Sequence, residues 1–274
     1  MAMVVQHNIQ AMNANRMLAV NSQTQSKSTE KLSSGYRINR AADDAAGLSI
    51  SEKMRRQVRG LTQASANAQD GISMVQTAEG ALNEVHDMLQ RMNELAVKAE
   101  NGTLQQKDRQ YIDSEIKQLK SEIDRVASTT TFNEMNLLTG SLSTCNLQVG
   151  AEKKQYITVS IAAMNASALT ITADVANCTT QTLAGNLNSA IKDAIDKVSK
   201  QRSDLGAVQN RLEHTINNLD NVVENTTAAE SRIRDTDMAT EMVKYSNNNI
   251  LAQAGQAMLA QANQANQGVL SLLQ

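Results

Sequence analysis

The chain has 274 residues, a net charge of −2 at pH 7, no proline, no tryptophan and a single phenylalanine. Because a rounded globular core usually draws on large aromatic rings, this composition favours thin helix–helix seams filled by Ala, Leu, Ile, Val and Met. Acidic and basic residues are interspersed, which argues against a nucleic-acid-binding surface, and no apolar run approaches the roughly 18 residues of a membrane span.

Residues 3–31 predict a first helix of low intrinsic stability. Its apolar positions are scattered, and Asn, Gln and Ser cover the rest of its surface. Such a helix is marginal alone in water and needs a partner. No basic residue precedes Arg16 and no apolar leader core is present, so we expect no secretory signal peptide. The chain would then be cytoplasmic or exported by another route.

A polar connector follows over Leu32–Gly47, with the sequence LSSGYRINRAADDAAG. Gly35 can adopt a positive φ without steric cost. Asp43 and Asp44 stand where a carboxylate caps the free N–H groups of the next helix. The sequence therefore predicts a connecting turn over 35–43.

The strongest signal is a heptad pattern within residues 44–100. One series recurs every seven positions, and a second lies three positions after each member of the first: Leu61, Ala68, Val75, Leu82, Leu89 and Ala96, then Ala64, Gly71, Ala78, Val85, Met92 and Ala99. A seam sustained over this length is typical of coiled-coil packing. We expect one uninterrupted helix about 85 Å long.

The dipeptide Asn101-Gly102 predicts the end of that helix, with Gly102 as its C-terminal cap. Thr103 has the form of a capping box for a new helix over 103–129. Because this helix carries its own apolar stripe, we expect it to fold back antiparallel on the preceding one.

Residues 130–180 change character, since β-branched residues alternate with polar ones and glycines interrupt the chain. Three short strands are predicted, at 147–150, 156–161 and 169–175. Cys145 and Cys178 border this region without a CxxC motif or a nearby His, which argues against a zinc or redox site. A disulfide between them and two independent, partly buried thiols are both open.

A second heptad helix is predicted over 182–230 as the coiled-coil partner of 44–100. Its main register comprises Ile191, Val198, Leu205, Leu212, Leu219 and Ile233, with Thr226 as its weak step. A polar break at 230–237 and a terminal helix over 238–274 complete the chain.

The order of elements is symmetric about the middle, so we expect the two ends to pair and the two strong helices to pair. This predicts a mainly α fold: an elongated coiled-coil helical bundle with paired N- and C-termini and a small β-hairpin region in the middle. The predicted domains are an inner one, from 1–34 and 238–274, and a rod domain over 44–237.

No catalytic constellation is found. The three histidines are isolated in sequence, and no phosphate-binding, metalloprotease or serine-hydrolase motif occurs. We expect neither an enzyme nor a cofactor or metal site.

Several segments resemble bacterial flagellins almost letter for letter. Besides the connector at 32–47, these segments are 60–84, 89–103, 122–140 and 230–273. The resemblance implies a short form whose terminal helices pair into an inner, tube-lining domain that orders only on assembly into the extracellular flagellar filament. It also implies passage through the flagellar type III export apparatus. The implied partners are other copies of the chain, an export chaperone, and the filament cap and junction proteins.

The resemblance further implies roles for individual residues. Arg91, Leu95 and Glu115 match positions that contact the flagellin-sensing Toll-like receptor of the host, although the chain departs from the usual pattern at Asn93 and Lys98. Apolar positions of the last helix are implied in inner-domain assembly and in docking to the chaperone: Leu251, Met258, Leu270, Leu272 and Leu273. The connecting-turn residues are Gly35, Arg37, Asn39, Asp43 and Asp44. A hook–filament junction protein, or another type III-secreted coiled-coil protein, is the alternative.

Overall fold

The computed structural model of the chain describes residues 8–172 and 176–271, with side chains as far as residue 264. These residues form five helices, which are α1 (Ile9–Ser34), α2 (Ala45–Glu100), α3 (Gln106–Thr129), α4 (Gln181–Arg234) and α5 (Met238–Ser271). Two antiparallel hairpins lie between α3 and α4, formed by β1 (Thr131–Phe132) with β2 (Met135–Asn136) and by β3 (Cys145–Gln148) with β4 (Tyr156–Val159). The predicted mainly α fold with a small central hairpin region is confirmed.

The chain divides into two compact units. The first combines Met1–Arg56 with Asn225–Gln274, and the second is Gln57–Glu224. Both divisions fall inside long helices, whereas the domains predicted from the sequence are separated at 35–43 and at 237. Those domain bounds remain a prediction.

The second unit has the predicted coiled-coil seam at its core. All twelve heptad positions of α2 from Leu61 to Ala99 are buried. As residue numbers rise along α2, those of its contacts on α4 fall. Ala68 packs with Leu212, and Glu100 is hydrogen-bonded to Asn188. The two long helices are therefore antiparallel, and apolar burial along this seam is the main stabilising contribution to the unit.

The end of α2 differs from the prediction. Gly102 lies outside the left-handed region, so it is not the C-terminal cap, and α3 begins at Gln106 rather than at Thr103. The guanidinium of Arg109 instead donates to the carbonyls of Ala99 and Asn101, both at 2.9 Å. The side chain of Arg109, one turn into α3, thus satisfies carbonyl groups at the end of α2. The sequence had predicted a glycine cap at this place.

The hairpin region contains two of the three predicted strands, because β3 overlaps 147–150 and β4 lies within 156–161, and it also contains the β1–β2 hairpin. The β1–β2 turn places Asn133 and Glu134 at φ 47° and 64°, the left-handed pair that a two-residue type I′ turn requires. β3 and β4 pair with Gln148 opposite Tyr156. The predicted strand at 169–175 is wrong over its described part, because residues 165–170 form turns and 171–172 are not in a strand; residues 173–175 lie outside the described chain.

Cys145 and Cys178 are both free thiols and do not form a disulfide with each other. Cys178 is buried, and its backbone N–H donates to the Asp113 carboxylate at 3.2 Å. Burial raises the pKa of the Cys178 thiol to about 11. This cysteine is a small core residue that is poorly reactive at neutral pH.

Candidate assembly interface

The first unit is built around an antiparallel pair of the two terminal helices. Near one end of the pair, the Asn8 side chain donates to the Ala262 carbonyl at 3.0 Å. Farther along, Gly255 lies against Leu18, where a side chain at 255 would touch the leucine. The ends of the chain therefore pair, as the symmetry of the sequence predicts.

Two buried polar residues lie close to each other across this pair. Ser28 of α1 and Glu241 of α5 are both nearly inaccessible, and the Ser28 hydroxyl is near enough to affect the Glu241 carboxylate. Burial raises the pKa of Glu241, but the Ser28 hydroxyl and the neighbouring Lys244 ammonium outweigh it, so the pKa lies below its usual value. Sequence analysis missed this contact, because Ser28 and Glu241 are separated by most of the chain and neither has a local signature.

The two polar breaks of the sequence are bonded to each other. Gly35 ends α1 at φ +75°, and its N–H donates to the Lys31 carbonyl at 2.9 Å. The Arg37 N–H donates to the Arg234 carbonyl at 2.7 Å, and the Thr236 N–H donates to the Gly35 carbonyl at 3.0 Å. This main-chain pairing joins the end of α1 to the start of α5.

The other predicted turn residues hold this connection in shape. The Arg37 guanidinium donates to the Ile233 carbonyl, and the Asn39 amide donates to the Tyr36 carbonyl. The Arg40 N–H donates to Asp43 and lowers the pKa of its carboxyl group.

Asp44 is the N-cap of α2. Its carboxylate accepts the Gly47 N–H at 2.8 Å, which satisfies one of the free donors at the start of the helix.

An arginine–tyrosine stack that the sequence did not reveal also lies in the turn. The Arg234 guanidinium lies 4.5 Å from the centroid of the Tyr36 ring, and it is 3.4 Å from Glu52 and 3.8 Å from Glu230. The stack and the two carboxylates surround one cation, so they restrain the end of α4 against the turn.

The terminal helix pair exposes many large apolar side chains. Large apolar side chains that are more than half exposed occur on both helices: Ile9, Met12, Met17 and Val20 on α1, and Val243, Ile250, Leu251 and Met258 on α5. Part of this surface forms an open groove of about 770 Å³ between α1 and α5. Met17, Leu18, Leu251 and Met258 line it, together with small and amide side chains. We call this groove and the exposed apolar residues around it the terminal apolar surface.

The predicted α5 residues fall into two groups. Leu251 and Met258 lie in the groove and are 51% and 61% exposed. The side chain of Leu270, and residues Leu272 and Leu273, lie outside the described residues.

In the second unit, the structure brings two of the three predicted receptor-contact residues together on the surface. The Arg91 guanidinium donates to the Glu115 carboxylate at 2.9 and 3.0 Å, and also to Glu94 at 3.0 Å. Both members of the Arg91–Glu115 pair remain about half exposed. Leu95 is only 4% exposed and belongs to the core, so it does not join them as a surface residue.

No metal-binding group of three or more His, Cys, Asp or Glu occurs among the described residues. No described helix is both long enough and apolar enough to span a bilayer.

Two known family models match this chain, one toward each end. Residues 5–143 match the bacterial flagellin N-terminal helical region, and residues 189–273 match the bacterial flagellin C-terminal helical region. The chain belongs to the bacterial flagellin family.

Relatives of this flagellin extend over its whole length. It is 54% identical to a flagellin of Halalkalibacterium halodurans over 99% of this chain and 100% of the relative. It is 49% identical to the flagellar filament 31.3 kDa core protein of Treponema maltophilum, with the same coverage of both chains. The crystal structure of Bacillus cereus flagellin is similar to 56% of this chain and 88% of that one, with a TM-score of 0.50 and 30% identity.

The flagellin matches cover all five helices at least in part and leave out 144–188, which contains β3 and β4. The terminal apolar surface and the connecting turn both lie within the matched regions.

Proposed function

We propose that the chain is a structural, non-enzymatic subunit that self-assembles through its terminal helices into the extracellular flagellar filament used for swimming. The observation that carries this proposal is the terminal apolar surface. It presents Met, Leu, Ile and Val side chains on a helix pair whose described part buries no large apolar side chain.

The energetics favour assembly. Full burial of one Leu or Met side chain contributes about 1.5–3 kcal/mol. Met17, Leu251 and Met258 are each more than half exposed in one subunit, so packing against neighbouring copies yields several kcal/mol per subunit. Contiguous exposed apolar surface of this kind is typical of interaction sites. We further infer that the terminal helices become fully ordered only when neighbouring copies cover them.

The test is seeded polymerisation of the purified chain, followed by electron microscopy. Leu251→Asn places an amide in the groove, and Gln256→Ala changes an exposed residue on the same helix that does not line it. We expect filaments from the unaltered chain and from Gln256→Ala, and at least a strong delay with Leu251→Asn. Equal growth of all three would refute an interface at the groove.

Further partners follow from the same surface. We infer that, before assembly, the last helix docks through its apolar positions in the groove of an export chaperone, and that the chain leaves through the type III export apparatus and meets the filament cap and junction proteins. The residues proposed for docking are Leu251, Met258, Leu270, Leu272 and Leu273. A chaperone complex lost on deletion of 251–274 supports this, and a complex of unchanged affinity contradicts it.

The alternative is a hook–filament junction or other type III-secreted coiled-coil protein. Such a protein shares paired terminal helices but does not form long homopolymers. Filaments growing from this chain alone exclude it, whereas a persistent monomer that caps added flagellin seeds favours it.

The exposed Arg91–Glu115 pair supports a second proposed role, as a ligand of the host Toll-like receptor that senses flagellin. An arginine and a glutamate on one helical surface can each form charge-assisted bonds with a partner. Since Leu95 is buried, we assign the polar recognition to Arg91 and Glu115, and to Leu95 only the packing that supports them.

Arg125 provides a matched control for this role. It pairs with Glu122 on α3, and both side chains are exposed to nearly the same degree as Arg91 and Glu115. We expect Arg91→Ala to weaken binding of the monomer to the receptor ectodomain severalfold, and Arg125→Ala to leave it unchanged. Equal effects of the two variants would rule out a specific role for Arg91.

A further inference from the structure

The turn between α2 and α3 contains the sole Asn-Gly dipeptide of the sequence, Asn101-Gly102. Both residues are exposed. Glycine carries no side chain to hinder the approach of its backbone nitrogen to the preceding side chain. We propose that Asn101 is a site of spontaneous deamidation, a covalent modification that ages the protein at this turn.

The local hydrogen bonds favour this reaction. The Thr103 N–H donates to the Asn101 side-chain oxygen at 3.2 Å, which curls the amide back over the peptide that contains the Gly102 nitrogen. The same N–H points at the oxygen that becomes negatively charged when the nitrogen attacks. Within the part of the chain that the structure describes, the Gly102 N–H donates to no acceptor.

The chemistry needs only water. The Gly102 nitrogen loses its proton to solvent base and attacks Cγ of Asn101, so a new N–Cγ bond forms. The bond from Cγ to the side-chain nitrogen breaks, and ammonia leaves with a proton from water. Water then opens the cyclic imide at one of its two carbonyls, which gives aspartate or isoaspartate.

Asparagines in the helices are protected from the same attack. Asn21 and Asn188 are also followed by a small residue, serine, but they lie inside α1 and α4. In a helix the next backbone N–H is held in the main-chain hydrogen-bond ladder, and the rigid geometry keeps it away from the side chain. These two residues are internal controls.

The modification changes a residue that accepts a structural hydrogen bond in this turn. The Arg109 guanidinium donates to the Asn101 carbonyl at 2.9 Å, and this is one of its two hydrogen bonds to carbonyls at the end of α2. Conversion to isoaspartate adds a methylene to the main chain at residue 101 and displaces that carbonyl. Either product also adds a negative charge beside Arg109.

The experiment is incubation of the full chain at mildly alkaline pH, followed by peptide mass spectrometry. We expect the peptide with Asn101 to gain the mass of an amide-to-acid conversion and to split into two isomers, while peptides with Asn21 and Asn188 stay unchanged. Conversion at Asn101 that is no faster than at the two helical sites overturns the proposal.

Gly102→Ala tests the mechanism. A methyl group at this position meets nothing within 4 Å and Gly102 is outside the left-handed region, so the variant keeps the turn. We expect deamidation to slow by about tenfold, because the added side chain hinders attack by the nitrogen. Circular dichroism checks that the fold is retained, and an unchanged rate in the folded variant rules out attack by the residue 102 nitrogen.

Discussion

Gly71 and Gly80 lie nine residues apart in α2 and differ in what surrounds them. A side chain at Gly71 would collide with the Leu147 side chain of β3, whereas one at Gly80 meets nothing within 4 Å. Replacing each by alanine adds the same methyl group to the same helix. The pair of variants therefore separates helix propensity from the packing of the hairpin on the helix.

The expected magnitudes follow from two opposing effects. Glycine to alanine inside a helix stabilises by about 1 kcal/mol, and this gain applies at both positions. Overpacking of a close contact costs about 1–3 kcal/mol, and this cost applies only at Gly71. We expect Gly80→Ala to stabilise the chain by about 1 kcal/mol and Gly71→Ala to be neutral or destabilising by up to about 2 kcal/mol.

Thermal unfolding followed by circular dichroism measures the difference, since each kcal/mol shifts Tm by about 2–4 °C for a unit of this size. Leu147→Ala removes the obstructing side chain, so in that background Gly71→Ala should recover the gain seen with Gly80→Ala. Equal stabilisation by Gly71→Ala and Gly80→Ala in the unaltered background would refute the close approach of β3 to α2.

Three further predictions concern single groups. The folded-state pKa of Glu241 is lowered, so its ionised form stabilises the terminal pair above the ordinary pKa of 4.5. This stabilisation is lost as the pH falls through the lowered folded-state pKa. Glu241→Gln should therefore reduce the dependence of stability on pH in acid-unfolding curves. Cys145 should react with an alkylating agent at pH 8 much faster than Cys178, as read by peptide mapping, and equal rates would contradict the burial of Cys178. Gly35→Ala should lower stability by about 1 kcal/mol in thermal unfolding, since alanine is strained at φ +75°; no change would argue against the left-handed cap.

The long-range periodic part of the fold was predictable from the sequence. Leu61, Ala68 and Val75 begin a series that repeats every seven residues, and a repeat sustained over six heptads leaves few alternatives to a coiled-coil seam. The pairing of the chain ends followed from the order of weak and strong helices alone. The assembly surface was predictable only as a set of apolar positions, because exposure depends on which partner each helix has.

The errors and omissions arose where the local sequence pattern does not determine the structure. Leu169 and Ile171 are buried on either side of an exposed Thr170, which imitates the alternation of a strand, but Thr170 lies in a turn at φ 67°. Gly102 has the right position for a cap, but Arg109 supplies the hydrogen bonds. The Ser28–Glu241 contact has no local pattern at all.

If neighbouring subunits cover the terminal apolar surface in the filament, they also protect its methionines from oxidation. Dilute peroxide converts accessible methionines to sulfoxides, which peptide mass spectrometry counts residue by residue. Met17 and Met258 are exposed in the subunit, whereas Met74 and Met92 are buried. We expect rapid oxidation of Met17 and Met258 in monomers, strong protection of both in filaments, and slow oxidation of Met74 and Met92 in either state. Filaments in which Met17 and Met258 oxidise as fast as in monomers would contradict this expectation.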